Sequence, residues 1–313
     1  MRKEDVAVVF PGQGSQRPSM GKDFHDNIKE SRETYEEASD ALGWDVAAMC
    51  FGDDDRLNLT EYTQPCILTT EIAMLRGLWA IYGFSPCLFG GHSLGELTAL
   101  VAADVLPLSE ALRIVHVRGR LMQEAAPVGM GGMSAIISED IDMDILRSVL
   151  EDLPIDVANV NSSHQVVISG EAAAMPQAHM RLAEALDDQP FRFVPLNVSA
   201  PFHSRFMCPI EEPFEEALYT LGGSLNAGKA VQVTSNYTGG FHSDDPQEIR
   251  ERLVSQLSNT VQWKKNMIEL ASRASAVCEI GPGRPLREFF KTVGVACSSV
   301  TTLSAAQRLF EAA

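Results

Sequence analysis

The chain has 313 residues, 45% hydrophobic and 21% charged, an ordinary soluble-globular composition that excludes disordered, collagen-like and disulfide-scaffold classes. Lys and Arg number 25 against 42 Asp and Glu, a formal net charge of −17, which argues against nucleic acid and anionic membrane surfaces as partners, because phosphate neutralisation needs a basic excess. No apolar run approaches the roughly 20 residues that span a bilayer. The six cysteines (Cys50, Cys66, Cys87, Cys208, Cys278 and Cys297) form no CxxC or tight cluster, so reduced thiols and a cytoplasmic location are expected.

Met1 to Asp5 is charged, and the apolar run after it, Val6 to Phe10, is too short for a signal-peptide core. That β-branched run, stopped by Pro11-Gly12-Gln13-Gly14-Ser15-Gln16, predicts a buried strand feeding a loop. Apolar spacing of three and four predicts a helix over 27–50 and another over 63–82, with Pro65 in its first turn. Cys87-Leu88-Phe89 reads as a very short strand running into Gly90-Gly91-His92-Ser93-Leu94-Gly95-Glu96. An apolar helix follows, and Ser109 reads as the N-cap of the next, through about Met122. After the glycine-rich entry Pro127-Val128-Gly129-Met130-Gly131-Gly132, the pattern changes. Strands at Met133–Ile137, Ile155–Val160, Gln165–Ser169 and Phe191–Leu196 alternate with helices near 142–151 and 171–186, the split βαβ order β-α-β-β-α-β. From about 205 long helices return, then a strand at Ala276–Ile280 and Gly281-Pro282-Gly283. The bulk of the chain is therefore expected to be α/β, interrupted by a small insertion with its own sheet.

Gly91-His92-Ser93-Leu94-Gly95 is a GxSxG between a short apolar strand and an apolar helix. A serine on such a sharp turn presents its hydroxyl at the top of a sheet, and flanking glycines relieve the crowding. Ser93 is thus the candidate nucleophile. It needs a base within hydrogen-bond reach, and the chain has seven histidines. His92 adjoins the serine but neighbours at such a turn point apart, and His116 falls mid-helix, a structural position. His203, in Ala200-Pro201-Phe202-His203-Ser204, sits in a loop where the insertion returns to the main body and can reach a site at strand ends. The residues alone leave this choice open. The N–H of Leu94 is an oxyanion donor expected of this turn, and a second should come from the loop Pro11-Gly12-Gln13-Gly14, which lacks the pattern of a phosphate-binding loop.

Several segments resemble, in order, those of the malonyl-CoA:acyl carrier protein transacylases and discrete polyketide-synthase acyltransferases. They are Phe10-Pro11-Gly12-Gln13-Gly14-Ser15-Gln16, Gly91 to Glu96, Val117-Arg118-Gly119-Arg120-Leu121-Met122-Gln123, Asn159-Val160-Asn161 with Gln165 to Gly170, Ala200 to Ser204, Gln256-Leu257 with Val261-Gln262-Trp263, and Gly281-Pro282-Gly283. The resemblance covers roughly residues 6 to 290. It implies an α/β-hydrolase-like large subdomain, 1–126 and 198–313, with an inserted ferredoxin-like (βαββαβ) small subdomain, 127–197. It further implies Ser93 as acyl-accepting nucleophile, His203 as its base, the Gln13 and Leu94 amides as oxyanion hole, and the Gln256 carbonyl as the group orienting His203. Arg118 would hold the free carboxylate of malonate, matching it as a planar fork, with Gln64, Asn161 and Phe202 as further substrate-binding positions. Bulky Phe202 before the histidine, and Leu94 after the nucleophile, agree with malonyl rather than branched units.

The implied partners are malonyl-CoA and a phosphopantetheinylated acyl carrier protein, with no metal, no resident cofactor and a monomeric enzyme. A thioesterase of the same architecture is the alternative chemistry, and a non-catalytic homologue that docks carrier protein is the other alternative. Carrier proteins are typically acidic, so docking to a chain of charge −17 needs a local basic surface, for which Lys22, Arg205, Lys264, Lys265 and Arg284 are candidates.

Overall fold

The computed structural model describes residues 6–127, 129–186, 189–198, 200–221 and 225–311. Met1 to Asp5 and Val128, used in the sequence reading, lie outside the described residues. β1 (Val6–Phe10), β2 (Leu88–Gly91), β7 (Ala276–Ile280) and β8 (Cys297–Val300) form a parallel sheet in the order β2-β1-β7-β8. β3 (Gly131–Ser138), β4 (Ile155–Val160), β5 (Gln165–Glu171) and β6 (Phe191–Pro195) form an antiparallel sheet in the order β4-β5-β3-β6.

β1 is buried at every position, as a central parallel strand covered on both faces must be. Val6, Val8 and Phe10 enter one core, and Ala7 and Val9 enter another with Trp263, Met267 and Phe290. All four strands of this sheet run the same way, so Phe10, Gly91 and Ile280 end at one edge, where sites of open α/β sheets form. In the antiparallel sheet the first and third strands, β3 and β5, are central. The helices Met143–Leu150 and Met175–Leu186 pack on it around Ile136, Leu146, Leu150, Val166, Ile168 and Leu182. This is the expected ferredoxin-like arrangement. Its edge strand docks on the main body: Val160 N–H donates to the Val261 carbonyl (3.0 Å) and Val261 N–H to Ala158 (2.8 Å).

The structure departs from the sequence reading in local detail. The helix expected over 27–50 breaks at Gly43, which takes a left-handed φ of 76°, into Lys29–Leu42 and Val46–Phe51. Asp45 caps the second piece by accepting from Ala48 N–H. The helix expected from Thr63 begins at Thr60, so Pro65 lies in the second turn rather than the first. Its missing N–H leaves the Glu61 carbonyl without an intrahelical donor, and His116 Nδ1 lies 3.3 Å from that oxygen. Ser109 is not an N-cap: the helix Leu108–Glu124 starts before it, after Pro107. The strand ending in the nucleophile motif is Leu88–Gly91, two residues longer at its end than the apolar triplet suggests, because Gly90 and Gly91 pair with Val9 and Phe10. The region after 205 is not all long helix; Val233 bridges Phe89, and Thr234 bridges Phe241. β8 and the helices Pro285–Thr292 and Leu303–Phe310 complete the parallel-sheet unit.

Candidate active site

Between β2 and the helix Leu94–Ala102 the chain reverses in two residues, His92 and Ser93, the latter at φ 54° and ψ −103°. The two glycines of the motif are required by contact rather than by φ. A Cβ on Gly91 would lie 2.0 Å from the Gly95 carbonyl carbon, and one on Gly95 would lie 2.2 Å from the Phe10 oxygen. Gly12 carries the loop after β1 against the same turn, since a Cβ there would stand 2.5 Å from the His92 oxygen. Ser93 thus opens into a cavity of about 660 Å³, lined also by Gln13, His92, Asn161, Phe202 and His203.

Ser93 Oγ lies 2.7 Å from His203 Nε2, and His203 Nδ1 lies 2.8 Å from the main-chain oxygen of Gln256. A carbonyl only accepts, so Nδ1 carries the proton and Nε2 presents its lone pair to the serine hydroxyl. His203 is buried, and burial followed by the nearby Arg118 cation drives its pKa down to about 3. It is therefore a neutral imidazole at ordinary pH. His92 turns the other way: its Nε2 meets Asn161 Oδ1 at 2.7 Å and its ring packs edge-on to Trp263.

Arg118 lies beneath Ser93, 1% exposed. Its Nη2 donates to Ser93 Oγ (3.2 Å) and Gln256 Oε1 (2.7 Å), and its Nη1 donates to Gln64 Oε1 (2.9 Å). These acceptors are all neutral, and Nε has no partner. Burial pulls its pKa down only to about 10, with the charge of Glu96 opposing. It stays a cation in a pocket without a direct anion, an arrangement that favours an anionic ligand. Leu94 N–H is the first donor of its helix, at the positive end of the helix dipole. The Gln13 side chain donates to Thr60 Oγ1 (3.1 Å), and Gln13 lines the cavity.

The structure therefore gathers Gln13, Ser93, Asn161, Phe202 and His203 around the cavity, with Leu94 following Ser93 at the start of its helix and Gln64, Arg118 and Gln256 behind them. Sequence reasoning missed three residues that hold this set. Asn236 Oδ1 accepts from Ser93 N–H (2.6 Å) and its Nδ2 donates to Gly91 O (2.8 Å). Glu96, fully buried, accepts from Asn236 N–H (2.9 Å), Gln256 Nε2 (2.6 Å) and His242 Nε2 (2.8 Å). Glu96 stands within the quoted motif, and a carboxylate in so apolar a helix is the one signal that could have marked it.

Of the cations considered for docking, Lys22 is paired with Asp26 and Arg205 with Asp156. Arg284 immediately precedes Pro285, which lines the cavity. Among the described residues no group of His, Cys, Asp and Glu could hold a metal ion, and no helix is long and apolar enough to cross a membrane. Among the described residues no disulfide joins the six cysteines.

A serine on a strand-to-helix turn, in contact with a neutral histidine and beside the first N–H of a helix, is an arrangement suited to acyl transfer. The chain belongs to the acyl transferase domain family, which it matches over residues 7–291. It is 38% identical over 292 residues to the malonyl-CoA:acyl carrier protein transacylase of Salmonella typhimurium, covering 92% of each chain. The crystal structure of the corresponding enzyme of Xanthomonas oryzae pv. oryzae superimposes with a TM-score of 0.91 at 36% identity, covering 100% of this chain and 99% of that one. A malonyl-transacylase solved in complex with the acyl carrier protein of a type II polyketide synthase matches with a TM-score of 0.90 at 33% identity, covering 99% of this chain and 100% of that one.

Proposed function

We propose that this enzyme transfers malonyl from coenzyme A to the phosphopantetheine thiol of an acyl carrier protein, in fatty-acid or polyketide synthesis, through a malonyl ester on Ser93. The observation that carries the reading is the placement of Ser93 Oγ in contact with both a neutral His203 and a buried, anion-free Arg118. In the first half, the Ser93 hydroxyl gives its proton to His203 Nε2 and attacks the thioester carbon. The oxyanion is held by the Leu94 and Gln13 amides, the C–S bond breaks, and the departing thiolate takes the proton from His203. In the second half, His203 takes the proton of the carrier thiol, the thiolate attacks the ester, and the C–O bond breaks with return of the proton to Ser93.

The Gln256 carbonyl keeps His203 in the useful tautomer throughout. Arg118 binds the malonyl carboxylate by exchanging neutral acceptors for a charged one, with Gln64 beside it. Asn161 and Phe202 shape the cavity that the acyl chain enters. We assign no metal or resident cofactor to this chemistry, and we place a monomeric enzyme in the cytoplasm.

The test is intact-protein mass after mixing with malonyl-CoA, followed by addition of phosphopantetheinylated carrier protein. A malonyl increment on Ser93 that moves to the carrier is the expected result, absent in Ser93→Ala. Release as free malonate without carrier would instead identify a thioesterase, and no increment with malonyl-CoA but one with other acyl thioesters would keep Ser93 as nucleophile and remove Arg118 from its role.

A further inference from the structure

Arg118 has no carboxylate partner, yet a carboxylate stands one side chain away. Gln256 Oε1 accepts from Arg118 Nη2 at 2.7 Å, and Gln256 Nε2 donates to Glu96 Oε2 at 2.6 Å. The second hydrogen of the same amide goes to the Ser93 carbonyl at 3.1 Å. Both amide donors are thereby consumed on one side, and only Oε1 remains for Arg118. The direction of the amide is dictated from the Glu96 end, because an ionised carboxylate only accepts. Glu96 is itself held by the main-chain N–H of Asn236 and by His242 Nε2, all within the buried interior.

We propose that Glu96 is a positioning residue for substrate selection, acting through the Gln256 amide as a relayed counter-charge for Arg118. A carboxylate in direct contact would neutralise Arg118, and the substrate's carboxylate would have to displace it. Absence of any carboxylate would leave a buried cation unsupported and its guanidinium free to turn. One intervening amide avoids both outcomes: the negative end of the dipole faces Arg118, the guanidinium plane is fixed, and its acceptors remain exchangeable for a substrate anion. The electrostatic support that Glu96 lends the Arg118 cation has the same sense. The inference rests on the malonyl-transfer reading and adds to it a residue that touches no part of the substrate.

The experiment compares the rate constants for Ser93 acylation by malonyl-CoA and by acetyl-CoA, followed by intact mass, in wild type, Glu96→Gln, Gln256→Met and the double variant. The main-chain carbonyl that orients His203 is kept in Gln256→Met. Loading of wild type with malonyl is read first, and its failure would count against the function proposed above rather than against the relay. Given loading, Gln256→Met is expected to lower the malonyl-over-acetyl ratio about tenfold or more, as for loss of a hydrogen bond to a charged group. Glu96→Gln is expected to lower the ratio by a smaller factor, and the double variant no further than Gln256→Met alone. A purely structural Glu96 would slow both acyl groups equally and leave the ratio unchanged, and this outcome, or losses that multiply in the double variant, overturns the relay. Should Glu96→Gln not fold, Glu96→Asp, which keeps the charge but shortens the reach, takes its place in the cycle with the same expected ordering.

Discussion

Ser93 and His203 approach to 2.7 Å, and both hold a left-handed backbone, at φ 54° and 56°. Side-chain-bearing residues adopt this region rarely, and such strain persists only where the surroundings over-determine it. For Ser93 the surroundings are the two glycines and Asn236. Adding one methyl group at Gly95 would drive it into the Phe10 carbonyl. Gly95→Ala is therefore expected to cost about 1–3 kcal/mol of stability by overpacking and to abolish acyl-enzyme formation even where the protein remains folded. Denaturant midpoints together with mass labelling check both parts.

Arg118→Ala removes the buried cation that donates to Ser93 Oγ. Malonyl loading is expected to fall by about 2–5 kcal/mol of lost charged contact, roughly thirtyfold to several thousandfold, with acetyl loading much less affected. Equal losses for the two acyl groups would assign Arg118 to the fold alone.

The pH dependence follows from the same pair. In the proposed mechanism neutral His203 is the base, and with its pKa driven down to about 3 it stays neutral far into acid. Wild-type acylation by acetyl-CoA is thus expected to show no histidine limb between pH 5 and 8. Arg118→Ala takes away a nearby positive charge, which makes protonation of His203 easier and raises its pKa. The acidic limb of the variant should move to higher pH than that of wild type, read from initial acylation rates extended below pH 5 for both proteins.

Glu279 gives a stability prediction of the opposite sign. Its carboxylate accepts from Leu286 and Arg287 N–H at the start of the helix Pro285–Thr292, but burial dominates and raises its pKa from 4.5 to about 7. Between those values the folded protein binds more protons than the unfolded chain, so stability present below about pH 4.5 is lost as pH rises through 7. Glu279→Gln removes this dependence. The melting-temperature advantage of wild type over the variant should shrink from pH 5 to pH 8, and a constant gap would contradict the assignment.

Much of this site was legible in the residues because its parts are local. The glycines around Ser93 mark a crowded turn in five residues, and the β-α-β-β-α-β pattern of the small sheet follows from alternating apolar runs within one segment. His203 stood out by its loop but needed the family resemblance to be chosen over its competitors. Asn236 was beyond reach, since it lies 143 residues from the Ser93 amide it holds, in a short irregular stretch without periodicity. Glu96 was in view but had no visible partners, because Gln256 and His242 reach it only after the helices pack. Pro65 misled by one turn: a proline suggests a helix start, whereas His116 supplies a donor at the Glu61 carbonyl that such a start would not need.

Ser93 and His203 stand 110 positions apart in the chain, with the small sheet between them. On a ribosome adding roughly 5–20 residues per second, Ser93 emerges about 5 to 20 s before His203, and Gln256 follows later still. Throughout that interval the serine has no proton acceptor and the His203 tautomer has nothing to set it. A nascent or truncated chain thus meets cellular thioesters unarmed, and the proposed acylation becomes possible only once the small sheet has been made and the loop that carries His203 has returned to the main body.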